Sequence, residues 1–193
     1  CGLPYDIYLA EDILSDPSLA KRYRTIVFAD MFAIGPRHRK MLEMLKSDGR
    51  TLVFLAGTGA ADGADATTFE IVQKEAPQDH AVVAEPGVRE TMPSLCDQEA
   101  KRRYLGEKLA AYWRPRRISL VERPGLRVKA RFASDGAPAV AERQLPTWKS
   151  VYICEPGGLS PQYFNRLVRE AGGYAPAPAG VQVDMNAEFL SLH

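Results

Sequence analysis

An α/β architecture, with a mostly parallel sheet and an antiparallel extension from the C-terminal half, is what this sequence predicts on three observations. Two short apolar runs rich in β-branched residues, Thr25 to Ala29 and Thr51 to Ala56, are bounded by turn formers and read as strands buried on both faces. Between them Met41, Leu42 and Leu45 recur at helical spacing, with Arg37, Arg39, Lys40, Glu43 and Lys46 on the other side, as on an amphipathic helix. After residue 117 the texture changes to four strand-like runs separated by tight turns.

Pro4 to Leu9 (PYDIYL) alternates as a strand would. Glu11 to Leu14 reads as a short turn of helix, and Asp16-Pro17 starts another that runs to about Arg22. Pro36 suits the first turn of the following helix and Gly49 its stop, so the two apolar runs and their helix form a β-α-β unit with a right-handed crossover. Gly59 to Asp65 is a loop of small residues. Ala66 to Ala76 predicts a helix with Phe69 and Val72 inward, and Ala81 to Glu85 a short strand. Asp97 to Trp113 carries the longest helical pattern, with Tyr104, Leu105, Leu109 and Tyr112 as its apolar stripe; Arg114-Pro115 ends it.

Four strands follow at Ile118 to Glu122, Leu126 to Ala133, Ala139 to Arg143 and Trp148 to Cys154, with turns at Pro124-Gly125, Asp135-Gly136 and Pro146. Pro138 makes the third of them an edge strand or a late starter. A helix over Ser160 to Ala171 opens on an N-cap serine and a first-turn proline and closes at Gly172-Gly173. Val181 to Met185 and Glu188 to Leu192 form a last hairpin about Asn186.

The 193 residues suit one domain with its own core. A net charge of +1 argues for neither a nucleic-acid nor an anionic-membrane partner. No apolar run reaches the ~18 residues a membrane span needs. Cys1, Cys96 and Cys154 have neither metal-ligand spacing nor a disulfide framework. The chain opens on Cys1-Gly2 and stops at His193 beside a strand, so it reads as a single domain, 1–193, excised from a larger protein whose missing sequence sets the localisation.

The ordered set PYDIYL, YRTIVFAD, a helix, DGRTLVFLA, then FASDGAPAVAER, WKSVYI, a helix ending REAGG, and MNAEFLSLH resembles the trimerisation domain of glycoside hydrolase family 42 β-galactosidases and related multidomain carbohydrate-active proteins. The likeness covers residues 3 to 56 and 117 to 193. It implies a flavodoxin-like, class I glutamine amidotransferase-like three-layer fold that serves as a non-catalytic accessory, with self-association or contact to neighbouring domains of the parent chain. The family pattern also carries one more strand and helix ahead of Pro4 to Leu9, so the resemblance leaves a sheet position for truncation, rearrangement or a neighbouring chain to explain.

In parallel sheets ligands bind beyond the carboxyl ends of the strands. That rule makes Asp30, Gly57, Thr58, Gly59 and Glu155 the candidate ligand-binding residues. Class I amidotransferases need a Cys nucleophile on a tight strand-to-helix turn, with a His base; the equivalent turn here, near Leu55 to Ala60, holds only the hydroxyl of Thr58. Gly57-Thr58-Gly59 falls short of the dinucleotide and phosphate-loop patterns. Cys154 is the other nucleophile candidate, and His38, His80 and His193 are scattered away from it. Glu11, Asp12, Asp30 and Glu155 are the carboxylates that could pair for glycoside hydrolysis. Asp62 and Asp65 lack the remaining ligands of a calcium loop. Arg114-Pro115-Arg116-Arg117 lacks interleaved aromatics and reads as a solvated helix end. Trp148 and Tyr152 read as core.

The expectation is therefore a non-catalytic accessory or oligomerisation domain of a larger glycoside hydrolase-like protein, with no catalytic residue, cofactor or metal. Two alternatives stand beside it: a small-ligand or carbohydrate-binding module, and an amidase- or peptidase-like enzyme using Cys154 or Thr58.

Overall fold

The chain begins as an extended stretch that leads into α1 (Ala10–Ser15) and a 3-10 turn, Pro17–Arg22. The side chain of Asp16 accepts from the Ser18 amide at 3.0 Å and so starts that turn. β1 (Thr25–Phe28), α2 (Pro36–Leu45) and β2 (Arg50–Leu55) then form the expected unit, with β1 and β2 parallel and Thr25 opposite Thr51. This computed structural model describes residues 3–29, 31–55, 57–74, 81–83, 117–155, 161–177, 183–185 and 190–192. The expected helix at Asp97 to Trp113, the basic residues Arg114 and Arg116, and Asp30, Cys1, Cys96, His80 and His193 lie outside the described residues.

The remaining strands are β3 (Ile71–Lys74), β4 (Ala81–Val83), β5 (Arg117–Leu120), β6 (Arg127–Phe132), β7 (Pro138–Gln144) and β8 (Trp148–Ile153), followed by α3 (Pro161–Glu170), β9 (Val183–Met185) and β10 (Leu190–Leu192). The main sheet runs β1-β2-β8-β7-β6-β4. Its β1-β2-β8 half is parallel, with Arg50 opposite Trp148. The β8-β7-β6-β4 half is antiparallel. β3 with β5, and β9 with β10, make two separate antiparallel pairs. The fold is thus mixed α/β, and the C-terminal half supplies β8 to the parallel part as well as the antiparallel part.

Alternation along the central strands divides the core into two layers. Leu52, Phe54, Trp148 and Tyr152 join Met41, Leu42 and Leu45 of α2 on one side. Val53, Val151 and Ile153 join Tyr163 and Leu167 of α3 on the other. Each such large side chain contributes roughly 1.5–3 kcal/mol by leaving water. Beneath α3 the carboxylate of Glu142 is buried and accepts from Tyr163 Oη at 2.9 Å, with Lys149 Nζ 3.2 Å away. Lys149 also reaches Glu170 at 2.6 Å, so the helix is tied to the sheet by charge as well as by packing.

Five expectations are corrected. Arg117 is not part of a solvated helix end: it opens β5 and is buried, with its guanidinium on Asp135. Pro4 to Leu9 is extended but pairs with no strand among the described residues, and Tyr5, Ile7 and Leu9 are exposed. β1 is half-buried rather than buried on both faces, because it lies at the end of the sheet. Ala66 to Ala76 is not a helix: a 3-10 turn covers Ala64–Thr67 and β3 follows. Thr68 stops the turn at a left-handed φ of 72°, and the β-branched Ile71 and Val72 then favour an extended ladder, although Phe69 is buried as expected. Pro138 opens an interior strand, between β6 and β8, where its missing amide is tolerated at the strand's first position.

Candidate functional site

The carboxyl edge of the parallel half is shaped by the turn after β2. Gly57 takes a φ of 93°, which favours glycine, and a Cβ there would stand 2.9 Å from the Phe32 ring. Thr58 is fully buried. Its hydroxyl donates to Leu55 C=O at 2.7 Å and lies 3.2 Å from Phe28 C=O. Both acceptors are main-chain carbonyls, and His38, the described histidine, lies against Glu11 at 3.8 Å instead. Amides along the turn are engaged as well: Thr58 N–H donates to Leu55, Gly59 N–H to Met31, Ala60 N–H to Gly57 and Ala61 N–H to Phe32, all within 2.8–3.0 Å. An anion would have to displace these bonds to use the turn.

Side chains of the central strand lock the same loops from below. Tyr152 Oη donates to Thr58 C=O at 2.9 Å, and Ser150 Oγ donates to Thr67 C=O at 2.6 Å. Burial pushes the Tyr152 phenol up from its ordinary range. Trp148 and Tyr152 are both buried, and Lys46 lies over the Trp148 ring at 5.3 Å.

Cys154 and Glu155 follow β8. The Cys154 thiol is buried, and desolvation drives its pKa well above the usual thiol value, with Arg117 opposing weakly. A nucleophilic cysteine needs the reverse, a thiolate stabilised by a cation or a helix end. Glu155 is also buried, and its Oε1 has no hydrogen-bond partner among the described residues. Of the other carboxylates, Glu11 and Asp12 are exposed on α1, and Asp12 accepts from the Leu9 amide at 2.9 Å. Asp65 receives both nitrogens of Arg39 at 2.7 and 2.8 Å, a fork-to-carboxylate clamp that holds its pKa down. Among the described residues no group of three His, Cys, Asp or Glu is placed to hold a metal ion. No described helix is long and apolar enough to cross a membrane.

Sequence reasoning missed a depression of about 160 Å³ lined by Thr68, Phe69, Glu70, Val121, Arg123, Leu126 and Arg143. Arg123 grips Glu70 at 2.8 Å, and Arg143 donates to Thr68 C=O at 3.0 Å. Its signal is weak in sequence, since it depends on the left-handed Thr68 and on a β3–β5 pairing across a long insertion.

Neither a scan against protein-family models nor a search of curated proteins finds a match. Among solved structures the chain is similar to a β-galactosidase from Bacillus circulans sp. alkalophilus, at 15% identity and a TM-score of 0.50. The similarity covers 83% of this chain and 25% of that one, so the chain spans about a quarter of the length of the protein it matches. At this identity the likeness speaks for the fold.

Proposed function

We propose that this chain is a non-catalytic accessory domain of a larger glycoside hydrolase-like protein, with the flavodoxin-like, amidotransferase-type arrangement, and that it works by assembly with neighbouring domains or copies of itself. The observation that carries the reading is the fold likeness to one quarter of a β-galactosidase chain. The local chemistry supports it: the Thr58 hydroxyl is held on main-chain carbonyls, and the Cys154 thiol is kept protonated by burial. The test is to incubate the purified polypeptide with nitrophenyl galactosides and with glutamine, and to sediment it over a range of concentrations. No turnover and a species larger than the monomer are expected. Hydrolysis lost in Cys154→Ser or Thr58→Val would overturn the non-catalytic reading, and a monomer at every concentration would remove self-association.

A second reading, a small-ligand or carbohydrate-binding module at the carboxyl edge, is favoured by the buried oxygen of Glu155, which has no partner among the described residues. A buried carboxylate oxygen without a partner is costly, and a donor such as a sugar hydroxyl would relieve it. Calorimetric titration with galactose, compared between the parent chain and Glu155→Gln, decides this. Identical null traces dismiss the reading.

A further inference from the structure

Arg143 carries a charge that no described carboxylate answers. It belongs to β7, opposite Ser150 in the first half of β8, and is half-buried. Its Nη1 donates to Thr68 C=O at 3.0 Å, and its Nη2 lies 3.5 Å from Pro124 C=O. Both acceptors are neutral main-chain groups. A guanidinium has five N–H donors, so these two contacts leave three of them over. Other arginines of the fold are matched by acids: Arg39 by Asp65, Arg117 by Asp135, Arg123 by Glu70 and Arg131 by Glu122. Removing a charge from water without a counter-charge is costly.

The same guanidinium lines the depression of about 160 Å³. Thr68, at its left-handed φ of 72°, ends the 3-10 turn and sends the chain toward β3. Val121 N–H donates to Glu70 C=O at 3.0 Å and so extends the β3–β5 ladder beyond Ile71 and Leu120. Leu126 N–H donates to Arg123 C=O at 3.1 Å and closes the following turn. Arg143 thus bridges the two segments that flank the space. Phe69, buried with its ring edge-on to Tyr152, joins Val121 and Leu126 as the apolar lining. The side chains of Glu70 and Arg123 are 54% and 60% exposed, so the depression opens to solvent. Every residue that lines it is among the described ones.

We infer that this depression binds a small monocarboxylate, with its carboxylate on Arg143 and a ring-sized apolar body against Phe69, Val121 and Leu126. A planar guanidinium fork matches a carboxylate through two parallel hydrogen bonds. Arg123 and Glu70 neutralise each other, which leaves one net positive charge. That balance suits a monoanion, and the Glu70 carboxylate repels any second negative charge. A cavity of about 150 Å³ holds a benzene ring, which sets the size of the body. The assignment is independent of the accessory-domain reading and of the carboxyl edge, because it concerns the β3–β5 side of the fold.

The probe is sodium benzoate, titrated into the full chain at constant ionic strength and followed by amide chemical shifts. Saturable shifts at Phe69, Glu70 and Arg123 are expected, with half-saturation at roughly 1 mM for so small a ligand. Benzyl alcohol, which keeps the ring and lacks the charge, should need at least tenfold more. Arg143→Lys, which keeps the charge and loses the fork, should weaken benzoate at least tenfold. Val121→Phe should abolish binding by filling the space, and keeps the test decisive if the Arg143 variant does not fold. Glu70→Gln should tighten binding at least threefold, since it removes the repelling charge and releases Arg123. No saturable shift, benzyl alcohol or acetate binding as tightly as benzoate, or indifference to both Arg143→Lys and Val121→Phe would each overturn the inference. Tighter binding of inorganic phosphate would overturn it too, by showing a site for dianions.

Discussion

β1 and β8 flank β2 on its two sides, both parallel to it and in register, yet one is half-buried and the other buried almost throughout. Their compositions do not explain the difference, since β1 is the more uniformly apolar of the two. Position does. β8 has a strand on each edge and a helix layer on each face, while β1 lacks a neighbour beyond its outer edge among the described residues. Burial is therefore a property of the slot that a strand occupies, and mutational cost should follow the slot rather than the residue type.

The largest effect belongs to β8. Tyr152→Ala removes a fully buried ring and the bond that holds Thr58 C=O, and should destabilise by about 4 kcal/mol in urea unfolding. Glu142→Ala, facing β8 from β7, strips one of the two counter-charges from Lys149 and the acceptor from Tyr163, and should cost about 3 kcal/mol; Glu142→Gln should recover part of that loss by keeping the Tyr163 bond. If both losses fell below ~1 kcal/mol, the central slot would not be the stronger one.

The third effect sharpens the comparison through pH. Burial raises the Cys154 pKa in the fold, so its contribution is fully present below the unfolded thiol value of ~8.5 and is lost as pH rises toward the folded value. Stability should drop by up to about 1.4 kcal/mol per pH unit above that point, more steeply than in Cys154→Ala, as read from denaturant midpoints at pH 8 and 10. Matching slopes would mean that the thiol is solvated. The smallest effect is in β1: Val27→Ala should cost under ~1 kcal/mol, against more for Val53→Ala in β2, which is fully buried. Equal costs for the two valines would show that the β1 edge is already covered in solution.

Much of this fold is legible in the sequence. The four runs after residue 117 match β5 to β8 within about two residues at either end, because turn residues such as Asp135-Gly136 punctuate them. α2 is equally readable, since its inward Met41, Leu42 and Leu45 are buried as their spacing requires. Reading failed where local preference gave way to tertiary context. Ala66 to Ala76 has helical composition, but β5 offers Ile71 to Lys74 a ladder from more than forty residues away. Pro4 to Leu9 alternates like a strand, yet alternation cannot supply a neighbour to pair with. At the carboxyl edge, the glycine turn was visible, and so was the want of a sulfur nucleophile. The destinations of its amides and of the Thr58 hydroxyl were not, because every partner is a main-chain carbonyl, which no residue name reveals.

The pairing of Arg50 with Trp148 has a consequence during synthesis. β2 leaves the ribosome with its inner partner still 98 residues from being made, as the numbering of that pair gives, which at 5–20 residues per second is a delay of roughly 5–20 s. Throughout that interval an apolar strand is committed to a place beside a segment that does not yet exist. Slowing translation between the two should enlarge the insoluble fraction, and faster elongation there should shrink it.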